Sequence, residues 1–246
     1  MIKVDKNWDG EIALRVAGIR QALAEAGAGG IVFGSSGGKD SALVGILAKM
    51  ATDDVLGVMM PCGSINNYNQ DMEDAKLLAS TYKIPHIVVD LTKTKQTLLD
   101  NLGGNAKITQ AADININPRL RMTTLYTIAA SRNYLVAGTG NRSEIYMGYF
   151  TKWGDGAFDL NPIQDLTKTE IFAFLQYLGA PAVFYTKPPS AGLFEGQTDE
   201  MDMGITYDEL DTFLLTGEKG ANYHKIEKAH KATAHKRAGH FTQGDK

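Results

Sequence analysis

Apolar positions along the chain follow two spacings. Near the N-terminus they recur every three or four residues, which predicts one face of an amphipathic helix. These residues are Trp8, Ile12, Val16, Ile19 and Leu23. Further along, short apolar runs are bounded by glycine or proline, as at 31–33 and 55–60, and such runs predict buried strands. The pattern therefore predicts a chain in which helices and strands alternate.

The rest of the chain continues this alternation. Strands are predicted at 31–33, 55–60, 84–91 and 134–137, and helices at 41–50, 69–82, 118–133 and 167–178, with another helix starting at 90–92. Thr167 and Glu170 have the spacing of a capping box at the start of the last helix. Alternating strands and helices imply right-handed crossovers and a parallel sheet covered on both faces. We therefore predict a doubly wound α/β fold in a single domain, although 246 residues also allow two small domains.

Composition narrows the classes of partner. Apolar residues make up 43% of the chain, charged residues 22%, and the net charge is −3, which argues against a general nucleic-acid binder and favours small molecules. The N-terminus lacks the apolar core of a signal peptide, and no run of 18 apolar residues occurs. We therefore expect no membrane partner and a cytoplasmic location. The single cysteine, Cys62, fits a reducing compartment and is expected to be a buried apolar residue rather than a nucleophile.

The segment 34–41, GSSGGKDS, lies between a predicted strand and a predicted helix. A turn of this kind presents backbone N–H groups and the positive end of the helix dipole to an anion, although a tight turn without a ligand is the alternative. A Walker A loop has four residues between its glycines and Lys followed by Ser or Thr. Here Gly34 and Gly38 enclose three residues, and Lys39 is followed by Asp40.

Asp40 is the unusual residue of this segment. A carboxylate beside bound phosphate would repel it unless a cation lies between them, and Mg²⁺ is commonly held by one or two carboxylates together with phosphate oxygens. The hydroxyls of Ser35, Ser36 and Ser41 supply further donors. The segment therefore predicts a phosphate site that uses a metal ion.

Residues 36–41, SGGKDS, resemble the SGGxDS pyrophosphate loop of the ATP-pyrophosphatase enzymes, which share the adenine nucleotide alpha-hydrolase-like fold and cleave ATP between its α and β phosphates. Motifs in the second half of the chain look like NAD synthetase. They include NPRLRM at 117–122, GTGNRSE at 138–144, GYFTK at 148–152, PSAGL at 189–193 and GQTDE at 196–200. The similarity extends from about residue 10 to 240. The chain has no room for an N-terminal amidase domain, so it resembles the short, ammonia-using form of the family.

The resemblance implies a reaction in two steps. ATP transfers AMP to the nicotinate carboxylate of deamido-NAD and releases pyrophosphate, and ammonia then displaces AMP to give the amide of NAD. It also implies Mg²⁺, with ATP as co-substrate, and a homodimer that binds deamido-NAD across its interface. The alternatives are another amidating or thiolating ATP-pyrophosphatase enzyme and an ATP-binding sensor that does no chemistry.

The resemblance also assigns roles to single residues. Asp40, Glu144 and Lys168 are expected to be catalytic, with Asp40 and Glu144 as the metal ligands. Contacts to ATP are expected from Gly34, Ser35, Ser36, Gly37, Gly38, Lys39, Asp40, Ser41, Thr139, Lys168 and Ser190. Contacts to deamido-NAD are expected from Arg119, Lys152, Asp159, His235 and Lys236. Lys39 occupies the variable position of SGGxDS, so we do not expect it to be catalytic.

Simpler roles remain possible for several of these residues when each is taken alone. Glu144 has the position of a solvated acid at a helix start, Lys168 that of an exposed helix lysine, and Arg119 that of a surface ion-pair partner. The histidines of 224–240 are spaced by six, five and five residues, which does not place ligands on one helix face and argues against zinc. We expect 224–246 to be a mobile basic tail that orders over the site when substrates bind.

Overall fold

A computed structural model of the chain describes residue 2 and residues 4–63, 66–186 and 199–239, without the side chains of 66–69. Four strands form one sheet, and helices occupy most of the remaining described chain. The strands are β1 (Gly30–Gly34), β2 (Val55–Met59), β3 (His86–Val88) and β4 (Tyr134–Ala137). The helices are α1 (Trp8–Ala26), α2 (Lys39–Ala51), α3 (Asn66–Tyr82), α4 (Thr92–Leu102), α5 (Gln110–Arg132), α6 (Arg142–Met147), α7 (Lys168–Tyr177), α8 (Val183–Thr186), α9 (Asp199–Met203), α10 (Tyr207–Thr216), α11 (Tyr223–Ala232) and α12 (Ala234–Arg237).

All three strand pairs are parallel, and the strand order is β3-β2-β1-β4. After β1 the chain moves outward on one side to β2 and β3, and it then returns to place β4 on the other side of β1. The strand order therefore reverses between β1 and β4, and ligands of open α/β sheets bind in the crevice beyond the carboxyl ends of strands at such a point. This topology confirms the predicted fold class.

Two apolar clusters cover the two faces of the sheet. One includes Phe33, Leu43 and Phe174 and joins β1 to helices α1, α2 and α7, and the Trp8 ring stacks on Phe174 with 4.8 Å between centroids. The other includes Val32, Val58 and Ala129 and covers the opposite face beneath α5. The central strand β1 is therefore buried on both sides, as its continuous apolar run predicts.

Several predicted boundaries differ from the structure. The predicted strand at 84–91 is shorter, since β3 contains only His86–Val88. The helix predicted to start at Pro118 starts at Gln110, because the Thr109 side chain caps it by accepting a hydrogen bond from Ala112 N. Pro118 therefore lies inside α5, where the fold tolerates an unfavourable residue.

The C-terminal described segment is folded against the rest of the chain. Helix α11 contributes Ile226 to an apolar cluster with residues of α6 and α10. The Arg237 guanidinium donates hydrogen bonds to the carbonyl oxygens of Ile145 and Tyr146. Mobility of 224–246 without substrates stays a prediction, and residues 240–246 lie outside the described part.

Candidate active site

The loop between β1 and α2 opens at the point where the strand order reverses. Gly38 is the N-cap of α2 and makes no side-chain cap hydrogen bond, so N–H groups of the first helical turn lack a capping side chain. Gly37 has a φ of 78°, and a Cβ there would lie 2.2 Å from the Asp71 carbonyl oxygen. Glycine is therefore required at this position by both conformation and space.

Serine hydroxyls hold the loop together from within. Ser36 Oγ lies 3.0 Å from Ser41 Oγ and accepts a hydrogen bond from Gly38 N, while Ser41 Oγ donates to Gly38 O at 2.9 Å. These contacts fix the loop before any anion binds, which lowers the entropic cost of binding.

Lys39 lies in the first turn of α2 with only 6% of its surface exposed. Its Nζ lies 4.9 Å from the centre of the Phe172 ring. Burial and the nearby Lys168 charge lower the pKa of Lys39 to about 8. The side chain lines the cavity described below, so it is a buried cation rather than a solvated surface lysine.

Asp40 and Glu144 converge on one ammonium group. Lys168 Nζ lies 2.8 Å from Asp40 Oδ2 and 2.8 Å from Glu144 Oε1. Lys168 is 1% exposed, which excludes the exposed helix lysine that its sequence position allowed. The three residues come from the helices after β1 and β4 and from the first position of α7, so the strand order brings them together.

Asn141 fixes both carboxylates. Its Nδ2 donates to Asp40 Oδ1 at 3.0 Å, and its Oδ1 accepts from Glu144 N at 3.0 Å. The Glu144 side chain in turn accepts from Asn141 N, which completes a capping box at the start of α6. The helix cap therefore sets the position of Glu144, which is not a freely solvated acid.

Burial and charge set the ionisation of this cluster. Burial raises the pKa of Glu144 to about 7, and the neighbouring Asp40 charge acts in the same direction, whereas the Lys168 ammonium opposes them. Burial alone would lower the pKa of Lys168, but the two carboxylates raise it above its ordinary value. Lys168 therefore remains charged and holds the pair together.

The same donor set suits a magnesium ion. One oxygen of Asp40 and one of Glu144 each lie 2.8 Å from the Lys168 ammonium. In phosphate sites, Mg²⁺ is commonly held by one or two carboxylates together with phosphate oxygens. Among the described residues, no group of three or more His, Cys, Asp or Glu side chains could hold a metal. The rest of a coordination shell would therefore come from phosphate oxygens and water.

A cavity of about 650 Å³ opens beside this cluster. Its wall includes the whole 34–41 loop, the carboxyl ends of β2 and β4, one face of α5 between residues 114 and 125, and residues 148–151, 154 and 155. Of the predicted residues, Gly34 to Ser41, Thr139, Glu144, Lys168 and Lys236 line it. Ser190 lies outside the described residues.

Four predicted substrate residues do not line this cavity. Arg119 donates to Lys152 O at 3.3 Å, and Lys152 Nζ donates to His235 O at 2.6 Å, so these three residues are linked by hydrogen bonds. Asp159 accepts hydrogen bonds from Tyr126 OH and Val136 N. Their role in binding deamido-NAD stays a prediction.

Arg121, two residues beyond Arg119, lines the cavity. Residues two apart on a helix point in different directions, so only one of the two arginines can face the cavity. Arg121 is the arginine that faces the cavity. Its Nε donates to Met60 O at 3.0 Å, and its side chain lines the cavity wall. The spacing of Pro118, Arg121, Met122 and Leu125, all on the cavity wall, is the sequence signal for this face.

Four further acids of the cavity wall were not predicted as site residues: Asp71, Asp155, Asp199 and Asp202. Asp155 accepts a hydrogen bond from Thr151 N, and burial raises its pKa. Asp199 is 4% exposed, and its Oδ2 accepts from Tyr207 OH at 2.9 Å. Asp155 and Asp199 both lie within or beside the motifs that carry the family resemblance, and the fold places both on the cavity wall.

Cys62 is buried, as expected from the sequence. Its Sγ donates to Asn117 Oδ1 at 3.3 Å, and burial raises the pKa of the thiol. A thiol with a raised pKa is a poor nucleophile at neutral pH, so the structure supports the apolar role.

Comparison with known proteins decides the family. The family model described as NAD synthase matches residues 11–243. The chain belongs to the NAD synthase family. It is 50% identical over 218 residues to the NH3-dependent NAD(+) synthetase of Carboxydothermus hydrogenoformans, which covers 87% of this chain and 88% of that relative.

Solved structures agree with this family. The NMN synthetase of Francisella tularensis superposes with a TM-score of 0.91 at 34% identity, over 98% of this chain and 100% of the other. The NH3-dependent NAD synthetase of Campylobacter jejuni superposes with a TM-score of 0.78 at 28% identity, over 97% and 99%. These matches confirm the predicted family and the parallel α/β fold of the NAD synthase family.

Proposed function

We propose that this chain amidates the nicotinate carboxylate of deamido-NAD to give NAD, using ATP and ammonia. Family membership and the NH3-dependent relatives support this reaction over another ATP-pyrophosphatase activity or a sensor. The observation that carries it in the structure is the convergence of Asp40 and Glu144 on Lys168, beside the 34–41 loop. A sensor would have no use for two carboxylates fixed at a phosphate site.

Adenylation is the first step. A carboxylate oxygen of the substrate attacks the α phosphorus of ATP, the bond to the β phosphate breaks, and pyrophosphate leaves. The nucleophile is already an anion, so the site has to position the two substrates and neutralise charge rather than remove a proton. Backbone N–H groups of the 34–41 loop and the charge of Lys168 are suited to hold phosphate oxygens.

Amidation is the second step. Ammonia attacks the acyl carbon of the mixed anhydride, the bond to AMP breaks, and a proton is released as the amide forms. Mg²⁺, held by Asp40 and Glu144, would neutralise phosphate charge in this site. The Asn141 contacts and the cap of α6 keep the two carboxylates in place for that role.

Nicotinate mononucleotide is a second candidate substrate. The specific observation in its favour is the TM-score of 0.91 to an NMN synthetase, against 0.78 to a named NAD synthetase. The mononucleotide carries the same carboxylate as deamido-NAD, and Arg119 and Lys152, which are expected to contact the dinucleotide, do not themselves line the described cavity. The chemistry of amidation would be unchanged.

A competition assay separates the two substrates. The purified protein is given ATP, Mg²⁺ and ammonium with equal amounts of deamido-NAD and nicotinate mononucleotide, and NAD and NMN are quantified by mass spectrometry. The proposal predicts that NAD predominates. Predominant NMN would assign the second substrate, and formation of neither amide would reject the proposed function.

We also propose that the chain forms a homodimer through α4, α5 and the β3 edge. Helix α5 has 23 residues and buries only Ala129, while α4 buries none of its residues. Apolar side chains are exposed nearby, at Ile87, Val88, Leu98 and Ile108. A second copy of the chain would cover this apolar edge.

Light scattering after size exclusion should give twice the mass of 26.7 kDa, and a monomer at micromolar concentration would contradict the proposal.

A cytoplasmic location stays part of this proposal, because the reaction uses ATP and an intracellular dinucleotide. Within the described residues, none of the helices combines the length and the apolar character needed to cross a bilayer.

A further inference from the structure

Asp211, in the middle of α10, is a buried carboxylate to which the proposed reaction assigns no role. Its side chain is 0% exposed, and it does not line the cavity. Burial of a carboxylate is unfavourable unless its oxygens accept hydrogen bonds. The groups that donate to Asp211 therefore indicate what the residue does in this fold.

Each oxygen of Asp211 accepts a hydrogen bond from the start of another helix. Oδ1 accepts from the Ser143 hydroxyl, in the first turn of α6, at 2.5 Å. Oδ2 accepts from Thr169 N, in the first turn of α7, at 2.7 Å. Ser143 Oγ in turn accepts from Lys168 N at 3.0 Å. Asp211 therefore links the first turns of the two helices that carry Glu144 and Lys168.

The first three N–H groups of α7 each have a side-chain acceptor. Thr167, the helix's own cap, accepts the third from Glu170 N. Ser143 and Asp211 accept the first and the second from α6 and α10. The first N–H groups of a helix have no partner within it, so acceptors outside the helix help to fix where it begins. A carboxylate is also favoured at the positive end of the helix dipole.

The same face of α10 contacts the side chain of Lys168. Tyr207 lies four residues before Asp211, so the two residues share one face of the helix. The Lys168 ammonium lies 5.0 Å from the centre of the Tyr207 ring. Helix α10 therefore supports both ends of Lys168, its backbone through Ser143 and Asp211 and its ammonium through Tyr207.

We propose that Asp211 is a positioning residue for adenylation, which keeps the Lys168 ammonium between the two carboxylates of the site. This inference rests on the proposed function. Asp211 acts through the Ser143 hydroxyl and the backbone of α7. Without its carboxylate, the Thr169 N–H and the Ser143 hydroxyl lose their acceptors, and the first turn of α7 is no longer fixed from α10. Lys168 would then lose its alignment at 2.8 Å from Asp40 and Glu144.

Exchange of labelled pyrophosphate into ATP, with deamido-NAD and without ammonium, measures adenylation alone. Asp211→Asn leaves one acceptor oxygen for two donors. We expect its exchange rate per folded enzyme to fall about tenfold or more, because a displaced reacting group loses its alignment. Ser143→Ala should also lower the rate, since it removes the link to Lys168 N while the charge of Asp211 remains.

A double variant separates positioning from a general role in the fold. In a Lys168→Met background, Asp211→Asn should lower exchange by less than about twofold, because the residue acts through Lys168. A residue that serves only the fold would lower the rate by the same factor in both backgrounds, and that result would overturn the inference. If Lys168→Met does not fold, Ser143→Ala is the background, and the double variant should lose less than the product of the two single losses.

Leu214→Ala is the matched control, because Leu214 is 9% exposed on the same helix and belongs to its apolar cluster. It should lower the melting temperature and leave exchange per folded enzyme within about twofold. An equal loss of exchange in this control, or undiminished exchange in Asp211→Asn or Ser143→Ala, would contradict the positioning role. If Asp211→Asn does not fold, Asp211→Ser is judged by the same criteria. An unmodified protein that makes no NAD would reject the proposed function and this inference together.

Discussion

At the scale of single residues, the site depends on charges that the fold has buried. Asp40 and Glu144 both contact the Lys168 ammonium at 2.8 Å, and Asn141 donates a hydrogen bond to each of the two acids. Removing Lys168 leaves two carboxylates facing each other without a cation, which costs more than the loss of a surface ion pair, whereas removing one carboxylate leaves the other paired with Lys168. Substitutions here are therefore expected to affect chemistry and stability by different routes.

Asp40→Asn should reduce turnover by about 10²-fold or more, because a neutral amide is a much weaker ligand for a divalent cation than a carboxylate, and charge stabilisation is a dominant contribution to catalysis. NAD formation at saturating substrates measures the effect, and circular dichroism checks the fold. Asp53→Asn is the control, since its side chain is 98% exposed just beyond the other end of α2. Undiminished turnover in Asp40→Asn would remove this residue from the site.

The two arginines of α5 provide a matched pair. Arg121→Met should lower kcat/KM for deamido-NAD by about tenfold or more, because Arg121 lines the cavity and a hydrogen bond from its guanidinium to a substrate phosphate would be worth roughly 1.5–3 kcal/mol. Arg119→Met should have a smaller effect, since Arg119 contacts Lys152 O rather than the cavity. Steady-state kinetics compares the two variants. The opposite ranking would support the assignment made from the sequence.

Lys39→Met should stabilise the protein in the absence of substrates. The folded-state pKa of Lys39 is lowered to about 8, so folding opposes its charge most strongly below pH 8, and this penalty disappears as the pH rises toward 10.5. The variant should therefore gain about 1–3 kcal/mol in the free energy of unfolding at pH 7, and progressively less above pH 8.

Urea denaturation at pH 7 and pH 10 measures this gain. Lys49→Met is the control, because Lys49 pairs with exposed Asp53 and its substitution should change stability little. A gain for Lys39→Met that does not depend on pH would point to packing instead of charge.

At the scale of elements, helix caps position two charged residues of the site, Glu144 and Lys168. Glu144 is the third residue of α6 and Lys168 is the first of α7, so the start of each helix decides where its functional side chain lies. Thr167 caps α7 by accepting from Glu170 N, and the Glu170 side chain accepts from Thr167 N in return. The sequence predicted this capping box, and the structure confirms it.

Thr167→Ala should lower both stability and activity. Loss of an N-cap costs about 1 kcal/mol, and the displaced helix start would move Lys168 away from Asp40. Asn7→Ala removes the comparable cap of α1, none of whose residues line the cavity, and should lower stability alone. Thermal unfolding and NAD formation are measured for both. Equal loss of activity in the two variants would contradict a positioning role for the α7 cap.

At the scale of the whole molecule, the strand order decides which residues meet. Residues 40, 144 and 168 are far apart in sequence, and they come together because β1 and β4 are neighbours at the reversal of strand order. The fold class could be predicted because local hydrophobic periodicity indicates it, and the 34–41 loop could be predicted because a short motif identifies it. The contacts of Lys168 could not, because they depend on three separate elements.

The positions of other residues on the cavity wall were also beyond the sequence alone. Asp199 and Arg121 look like ordinary polar residues of α9 and α5, and only the fold shows that both line the cavity. The start of α5 was misplaced because Pro118 is a common first residue of helices, yet here the Thr109 cap lies nine residues earlier. Predictions from local sequence fail where contacts between distant elements determine the surroundings of a residue.

The most direct test of the central claim follows one oxygen atom. Deamido-NAD labelled with ¹⁸O in its nicotinate carboxylate is converted with ATP, Mg²⁺ and ammonium, and the AMP is analysed by mass spectrometry. Attack of the carboxylate on the α phosphorus predicts one labelled oxygen in AMP for each NAD formed. Unlabelled AMP in the presence of newly formed NAD would contradict the adenylated intermediate.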